Sequence, residues 1–196
     1  MATTIAPASN TLKNFFDITK TNPRGIPQAP FVEKVENFVK SSDDVQLVLS
    51  KFEDMIQKYK HVQTSTTQRV ANLQVKIPDI EKTLDMVRFL ESKKDSDKVI
   101  TTNYGLNDSL YTKAEIAPTN VVYLWLGANV MLEYTIDEAV TLLNQRLNVA
   151  QKSLKSCEED LEFLRENITT VEVNIARVYN WEVQKRREQR EEESSR

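Results

Sequence analysis

Apolar residues recur at alternating steps of three and four along two long stretches, one in each half of the chain. A mean spacing of about 3.5 residues keeps them in one narrow stripe on a slightly underwound helix, and such a stripe is stable only when it is buried against a partner stripe. The pattern therefore predicts a long coiled coil. The first stripe comprises Leu49, Phe52, Ile56, Tyr59, Gln63, Thr66, Val70, Leu73, Ile77, Ile80, Leu84 and Val87, and the second comprises Ile136, Val140, Leu143, Leu147, Ala150, Leu154, Cys157, Leu161, Leu164, Ile168, Val171, Ile175 and Val178.

The two stripes match in length, and the chain must reverse between them, so they can pair in one antiparallel hairpin. If Leu49 lies opposite Val178, the layers pair one by one until Val87 lies opposite Val140. A shift by one heptad is conceivable, but it would leave one layer unpaired. Pro78 removes a backbone hydrogen bond within the first stripe, and because the stripe continues on both sides we expect a kink and not a break.

Most of the prolines fall in residues 1–30. Proline fixes its own φ and biases the preceding residue toward extended geometry, which predicts an extended or disordered arm over residues 1–30. Residues 23–30 fit a plain linker and an extended docking segment about equally well. The first coiled-coil helix is predicted over 31–91, and because residues 41–44 are typical of a helix cap, one helix or two both stay open.

Residues 99–134 change period, with aliphatic and aromatic side chains that alternate and with three turn signals between them. The segment predicts four short strands in two β-hairpins, followed by a second coiled-coil helix over 136–190 and a disordered tail over 191–196. Isolated hairpins are marginal in water, so these should complete a sheet with other subunits. The residues predicted to carry assembly are Leu106, Leu110, Tyr111, Val122, Leu124, Trp125, Leu126, Met131 and Leu132.

Composition narrows the functional classes. Charged residues make up 28% of the chain but the net charge is only -3, which does not indicate a nucleic-acid-binding surface. No stretch approaches a membrane span, and one cysteine excludes an internal disulfide framework, so we expect a soluble intracellular protein. His61 falls at an outward position, Cys157 falls on the stripe, and no phosphate loop or metal pattern is present. We therefore expect no catalytic residues, no metal and no cofactor.

Several segments together carry a resemblance to a family. They are Pro-Arg-Gly-Ile-Pro at 23–27, Ala-Pro-Phe at 29–31, Ile-Pro-Asp-Ile at 77–80, Leu-Asn-Asp-Ser-Leu-Tyr-Thr-Lys-Ala at 106–114, Leu-Trp-Leu-Gly-Ala-Asn-Val-Met-Leu-Glu-Tyr at 124–134 and Glu-Phe-Leu-Arg-Glu-Asn-Ile-Thr-Thr-Val-Glu-Val-Asn at 162–174. With these segments the chain resembles the α-type prefoldin subunits of eukaryotes over nearly all of residues 23–181. The strand-region segments are the specific part, because heptads occur in many unrelated proteins.

The resemblance implies a mainly α fold: a long antiparallel coiled-coil hairpin with two β-hairpins between the helices, which complete a β-barrel in a hetero-oligomer. It further implies a heterohexamer with one further α-type and four β-type prefoldin subunits. Such complexes act as molecular chaperones without ATP: they hold unfolded actin and tubulin and deliver them to the cytosolic chaperonin. The location implied is the cytoplasm, and a nuclear location stays open.

The far end of the predicted hairpin suggests where an unfolded chain would bind. Helix 1 continues its apolar phase at Phe31, Val35 and Phe38, while the register places charged residues of helix 2 opposite them. Each large apolar side chain left in water forfeits about 1.5 to 3 kcal/mol, so these residues either pack locally and close the hairpin or are covered by another chain. The predicted client-binding tip comprises Phe31, Val35, Phe38, Val39, Tyr179, Trp181 and Val183.

A function from another class also fits the coiled coil. A structural scaffold or tether would bind one folded partner through a helical groove. A chaperone should instead suppress the aggregation of several unrelated unfolded chains without nucleotide.

Overall fold

A computed structural model describes residues 20–37, 39, 42–94 and 99–194. The predicted fold class is confirmed, because the chain is mainly helical and its two long helices flank two antiparallel β-hairpins. The helices are α1 (Ser42–Lys93) and α2 (Ile136–Ser194). The strands are β1 (Ile100–Asn107), β2 (Leu110–Ile116), β3 (Val121–Gly127) and β4 (Val130–Thr135).

The N-terminal helix begins later than the sequence predicts, and this corrects its boundary. It starts at Ser42 and not after Pro30; only one 3-10 turn (Val35–Asn37) precedes it in the described chain. The Pro30 and Val32 carbonyls, which would accept the first hydrogen bonds of a helix that begins after Pro30, accept instead from the Asn174 and Arg177 side chains of α2. Between Ser42 and Lys93 there is one helix, which runs through Pro78 without a break.

The C-terminal boundaries also differ slightly from prediction. Helix α2 extends to Ser194, into the part predicted as a disordered tail, and the strands end at Thr135. Its first turn is held by a capping box, in which the Thr135 amide donates to Glu138 Oε2 (3.1 Å) and the Glu138 amide donates to Thr135 Oγ1 (3.4 Å). The hydrogen bonds from the Thr135 hydroxyl and amide lower the pKa of Glu138.

The chain divides into two compact units, each with its own core. The arm unit consists of the described residues up to Arg69 together with Cys157 onward. Its core combines α1, α2 and the arm segment, defined as residues 20–37 and 39. The buried members are Ala29, Val32, Val35, Val39, Val45, Val48, Phe52, Tyr59, Leu164, Ile168, Val171 and Val178.

The arm segment begins with a turn closed by the Thr21–Pro27 bridge, and between that turn and the 3-10 turn it runs along α2 without helix. Two asparagines of α2 set seven residues apart bind this part. The Asn167 Oδ1 accepts the Ala29 N–H (2.5 Å). The Asn174 side chain accepts the Val32 N–H (3.0 Å) and donates to the Pro30 carbonyl (2.7 Å). Both asparagines are buried, and heptad spacing puts them on the same side of α2.

Another polar residue on the same side, Asp160, lies seven residues before Asn167 and fixes the start of the arm segment. Its Oδ1 accepts hydrogen bonds from Asn22 Nδ2 (2.7 Å) and Arg24 Nε (2.5 Å). Arg24 also forms an ion pair with Glu159 (3.2 Å). No buried side-chain nitrogen or oxygen in the described part of the chain lacks a hydrogen-bond partner. The arm is therefore held by polar side chains at three successive heptads.

The strand unit, Val70–Ser156, has a smaller core that joins the helices to the second hairpin. Strand β1 pairs with β2 and β3 with β4, each antiparallel and each as a separate two-stranded sheet. Ala128 and Asn129 turn the second hairpin with positive φ values of 49° and 62°. The buried core residues are Leu84, Val87, Leu124, Ile136, Ala139 and Leu143.

A buried phenol gives a pH-dependent test of the arm unit. The Tyr59 hydroxyl donates to the Pro27 carbonyl (2.9 Å), and burial raises the pKa of Tyr59 to about 12. Because folding raises this pKa, the stabilisation is fully present below the ordinary tyrosine pKa of about 10 and is lost as pH rises through about 12. We expect an ultraviolet absorbance titration to show one phenol that ionises near pH 12. That step should disappear in Tyr59→Phe, and its persistence would contradict the assignment.

Candidate functional site

The second hairpin presents one face to its own unit and leaves the other open. Leu124 is 8% exposed and packs in the strand-unit core, and Val122 and Leu126 pack against the same core. The opposite face carries Trp125 (57% exposed) beside Met131 (55%), its partner across the sheet. A tryptophan left in water next to a methionine indicates a surface that another protein covers.

The first hairpin is exposed on both faces. Its large apolar side chains point to solvent on either side of the β1–β2 ribbon, and none belongs to either core of the described chain. A lone two-stranded ribbon is marginally stable in water, so this hairpin requires contacts beyond those that the described residues provide. The exposed apolar residues are Tyr104, Leu106, Leu110, Tyr111 and Ile116.

The strand edges are open as well. Each described sheet has two strands, so every strand pairs on one side only and presents a row of free N–H and C=O groups on the other. Open edges beside exposed apolar faces allow both main-chain pairing and side-chain burial with a partner strand. The two hairpins are therefore the candidate assembly site.

The predicted assembly residues divide into two sets. Val122, Leu124 and Leu126 lie toward the core of their own unit, because alternate residues of β3 point to opposite faces. The other six are exposed, although Leu132 lies on the same face of its hairpin as its partner Leu124: Leu106, Leu110, Tyr111, Trp125, Met131 and Leu132. Sequence reasoning missed Tyr104, Ile116 and Tyr123, which are also exposed and which strand alternation alone would have flagged. The role of all these residues in assembly stays a prediction.

The predicted client-binding tip is only partly open. Phe31 and Tyr179 are 49% and 57% exposed, whereas Val35 and Val39 are buried in the arm-unit core. Of the two alternatives, local packing holds for these two valines, since the arm segment folds back onto both helices. Trp181 and Val183 are half-buried, and Phe38 lies outside the described residues.

Phe31 is held in place although its ring is half in water. The Arg177 guanidinium lies 4.6 Å from the centre of the Phe31 ring, and it also donates to the Val32 carbonyl (2.8 Å). A cation over an aromatic face is attracted by the ring quadrupole. Phe31 and Tyr179 are thus the exposed aromatic residues of the tip, and the two together are called the aromatic patch.

Sequence reasoning missed the residues that bind the arm. Asp160, Asn167 and Asn174 each directly precede a residue of the apolar stripe, and a repeat of short polar residues at heptad spacing beside a stripe was the available signal. His61 is exposed and Cys157 is buried, as predicted. Among the described residues no group of three His, Cys, Asp or Glu residues could hold a metal ion, and no described helix is long and apolar enough to cross a membrane.

Comparison with known proteins decides the family. The family model described as Prefoldin subunit matches residues 59–181, a range that includes both hairpins and much of both helices. The chain belongs to the prefoldin subunit family. Curated prefoldin relatives agree, and the structural neighbour below agrees at the level of the fold.

The similar prefoldin sequences come from distant organisms. "Prefoldin subunit 3" of Elsinoe fawcettii is 55% identical over 88% of this chain and 88% of its own length. The Saccharomyces cerevisiae protein of that name is 47% identical over 90% of this chain and 94% of its own length. The Homo sapiens protein of that name is 48% identical over 83% of this chain and 83% of its own length. The expected resemblance to α-type prefoldin subunits, specifically eukaryotic prefoldin subunit 3, is confirmed.

A solved prefoldin structure supports the fold. The cryo-EM structure of filamentous prefoldin from Methanocaldococcus jannaschii matches with a TM-score of 0.50 at 12% identity, over 62% of this chain and 98% of that one. Prefoldin membership implies a chaperone subunit that assembles with other prefoldin subunits. Exposed hairpins and open strand edges are the features of this chain that suit such assembly.

The exposed face of the second hairpin gives a test of assembly. Replacing Trp125 and Met131 together by Glu should abolish co-assembly with partner prefoldin subunits, because burying two carboxylates at an apolar interface is strongly unfavourable. Helix content should not change, since both side chains point away from the chain's own core. Size-exclusion chromatography and circular dichroism measure the two properties.

The matched control replaces Val75 and Met86 of α1 by Glu, because these side chains are 67% and 68% exposed but lie outside the strands. The control should assemble normally. Complexes of normal size and composition from the Trp125 and Met131 variant would contradict the assignment of the assembly site.

Proposed function

We propose that this prefoldin subunit works in a heterohexamer with one further α-type and four β-type subunits, and that the complex captures unfolded actin and tubulin without ATP and delivers them to the cytosolic chaperonin. The cytoplasm is the proposed location, and imaging of the tagged protein would test it, with the nucleus as the second compartment to inspect. Relatives called prefoldin subunit 3 support the subunit type.

The observation that carries the assembly half of the proposal is the exposed apolar surface of two unpaired hairpins. A partner subunit whose strands also have exposed apolar side chains and unpaired edges would bury Trp125, Tyr111 and their neighbours. Its main chain would at the same time pair with the open strand edges. A tether that binds one folded protein has no comparable need for open edges on both hairpins.

The capture half of the proposal rests on the aromatic patch of the arm unit. Phe31 and Tyr179 offer small apolar contacts, each too weak to hold a chain alone. Several subunits that each contribute such a patch would bind one unfolded chain by multivalency, because the second and later contacts form at high effective concentration.

Reconstitution tests the proposal as a whole. The chain, expressed with five partner prefoldin subunits, should elute as one six-subunit complex and suppress aggregation of denatured actin diluted from guanidinium, without nucleotide. Transfer of that actin to purified cytosolic chaperonin tests delivery. Binding of one folded protein, with no suppression of aggregation for actin or any unrelated unfolded chain, would favour the tether instead.

The aromatic patch predicts a selective loss. Replacing Phe31 and Tyr179 by Ser should leave a complex of normal size that protects denatured actin less well, with a partial loss because other subunits also contribute contacts. The matched control replaces Val75 and Val149 by Ser, which are 67% and 62% exposed on α1 and α2. Equal protection by both variants would show that the patch does not bind clients.

A further inference from the structure

Helix α2 recognises the main chain of the arm segment. The Asn174 side chain uses both its donor and its acceptor, on the Pro30 carbonyl and the Val32 amide. The Asn167 amide group is already fixed, because its Nδ2 donates to the Phe163 carbonyl of its own helix (2.6 Å), so its oxygen is aimed at the Ala29 amide. Amides and carbonyls occur in every polypeptide, and contacts of this kind do not read sequence.

The side-chain requirement of this site is equally broad. Ala29, Val32 and Val35 are buried, while Phe31 and Glu33 between them are exposed. The site therefore accommodates a segment with a small apolar side chain at every third residue. The positions between them face solvent and can carry any side chain. Extended segments of non-native chains meet that requirement often, whereas a folded protein keeps such segments in its core.

The attachment at the start of the arm segment is open to water. The Arg24 side chain is 33% exposed and its partner Glu159 is 54% exposed, although Asp160 is only 12% exposed. The Arg24–Glu159 pair is reached by solvent and contributes little, and Asp160 keeps its hydrogen bond from Asn22 when Arg24 leaves, so this clamp can open at modest cost. Once it opens, the segment up to Pro27 remains attached through Asn22, through the Tyr59 hydroxyl and through the packing of Ile26 against the arm-unit core.

We propose that the side of α2 formed by Asp160, Asn167 and Asn174 is a binding groove for extended apolar polypeptide, and that the arm segment occupies it as an internal competitor of non-native chains. This inference rests on the proposed function, since it names where and how capture occurs. It places the principal contact beneath the arm, with the aromatic patch on the outer surface as an additional contact.

When the arm segment occupies the groove, a client cannot bind there, so the arm lowers the apparent affinity of the groove for clients. The apparent affinity of the groove for a client is its intrinsic affinity multiplied by the fraction of open chains. A tethered arm at high effective concentration keeps that fraction small, so an isolated groove binds weakly and only a client that engages several subunits is retained. Holding the arm down should weaken capture, and loosening it should strengthen capture.

A reversible linker tests the expectation that holding the arm segment down weakens capture. Arg24→Cys and Glu159→Cys, in a Cys157→Ser chain assembled with its partner subunits, would be bridged by a short bis-methanethiosulfonate linker that a reductant removes. The probe is reduced and carboxymethylated α-lactalbumin, a permanently unfolded chain, with binding measured by fluorescence anisotropy. The bridged complex should bind roughly threefold or more weakly than the same complex after reduction. A complex without the two new cysteines, treated identically, controls for partner cysteines.

A charge reversal tests the expectation that loosening the arm segment strengthens capture. Arg24→Glu places a carboxylate against Asp160 and Glu159, so it should release the arm and tighten probe binding roughly threefold or more. Hydrogen exchange at the Ala29 and Val32 amides should become faster. The control is Arg88→Glu, the same change at an arginine that bonds Asn144 in the strand unit. It should alter neither binding nor the exchange of those two amides.

The outcomes separate this inference from the proposed function. If the unaltered complex binds the probe but bridging, reduction and Arg24→Glu leave the affinity unchanged, the arm is a fixed strut and the inference is wrong while capture stands. Unchanged exchange at Ala29 and Val32 in Arg24→Glu would likewise overturn it. If the unaltered complex and all variants fail to bind the probe or denatured actin, the proposed capture fails and the groove fails with it.

Discussion

Burial of apolar heptad stripes is the constraint on which each unit of this protein depends. In the arm unit Phe52 and Tyr59 of α1 share a core with Leu164 and Val171 of α2. A helix with an exposed stripe would lose the burial that holds it helical, since helix propensity alone contributes little. The arm segment packs against these helices in the arm unit, and the second hairpin packs against them in the strand unit.

The two hairpins carry large apolar side chains that the described part of the chain does not bury. In β3 successive side chains point to opposite faces, so Leu124 packs in the core of its own unit while Trp125 faces solvent, where a partner could cover it. The β1–β2 ribbon has no such internal anchor among the described residues, and its stability must come from neighbours. Assembly through these hairpins, which stays a prediction, would complete the fold of this region.

The arm segment follows a different rule, in which polar side chains decide the backbone conformation. Asn174 and Arg177 donate to the Pro30 and Val32 carbonyls, which would otherwise accept the first hydrogen bonds of a helix, and α1 starts only at Ser42. An asparagine side chain offers a donor and an acceptor, the same pair that a neighbouring β-strand would offer. A helix surface thereby holds an extended segment without a sheet.

The sequence by itself determined the two helices and the four strands, because heptad spacing and strand alternation are local periodicities that a chain cannot satisfy in many ways. The family followed from the resemblance of the strand-region segments to prefoldin subunits. It also indicated that Cys157 is buried and that His61 is exposed. Only the tertiary structure decided where α1 begins and what lies over Val35 and Val39, because those outcomes depend on bonds between residues more than a hundred positions apart, such as Val32 to Asn174. No local pattern around Val35 reports that a distant asparagine competes for the preceding main chain.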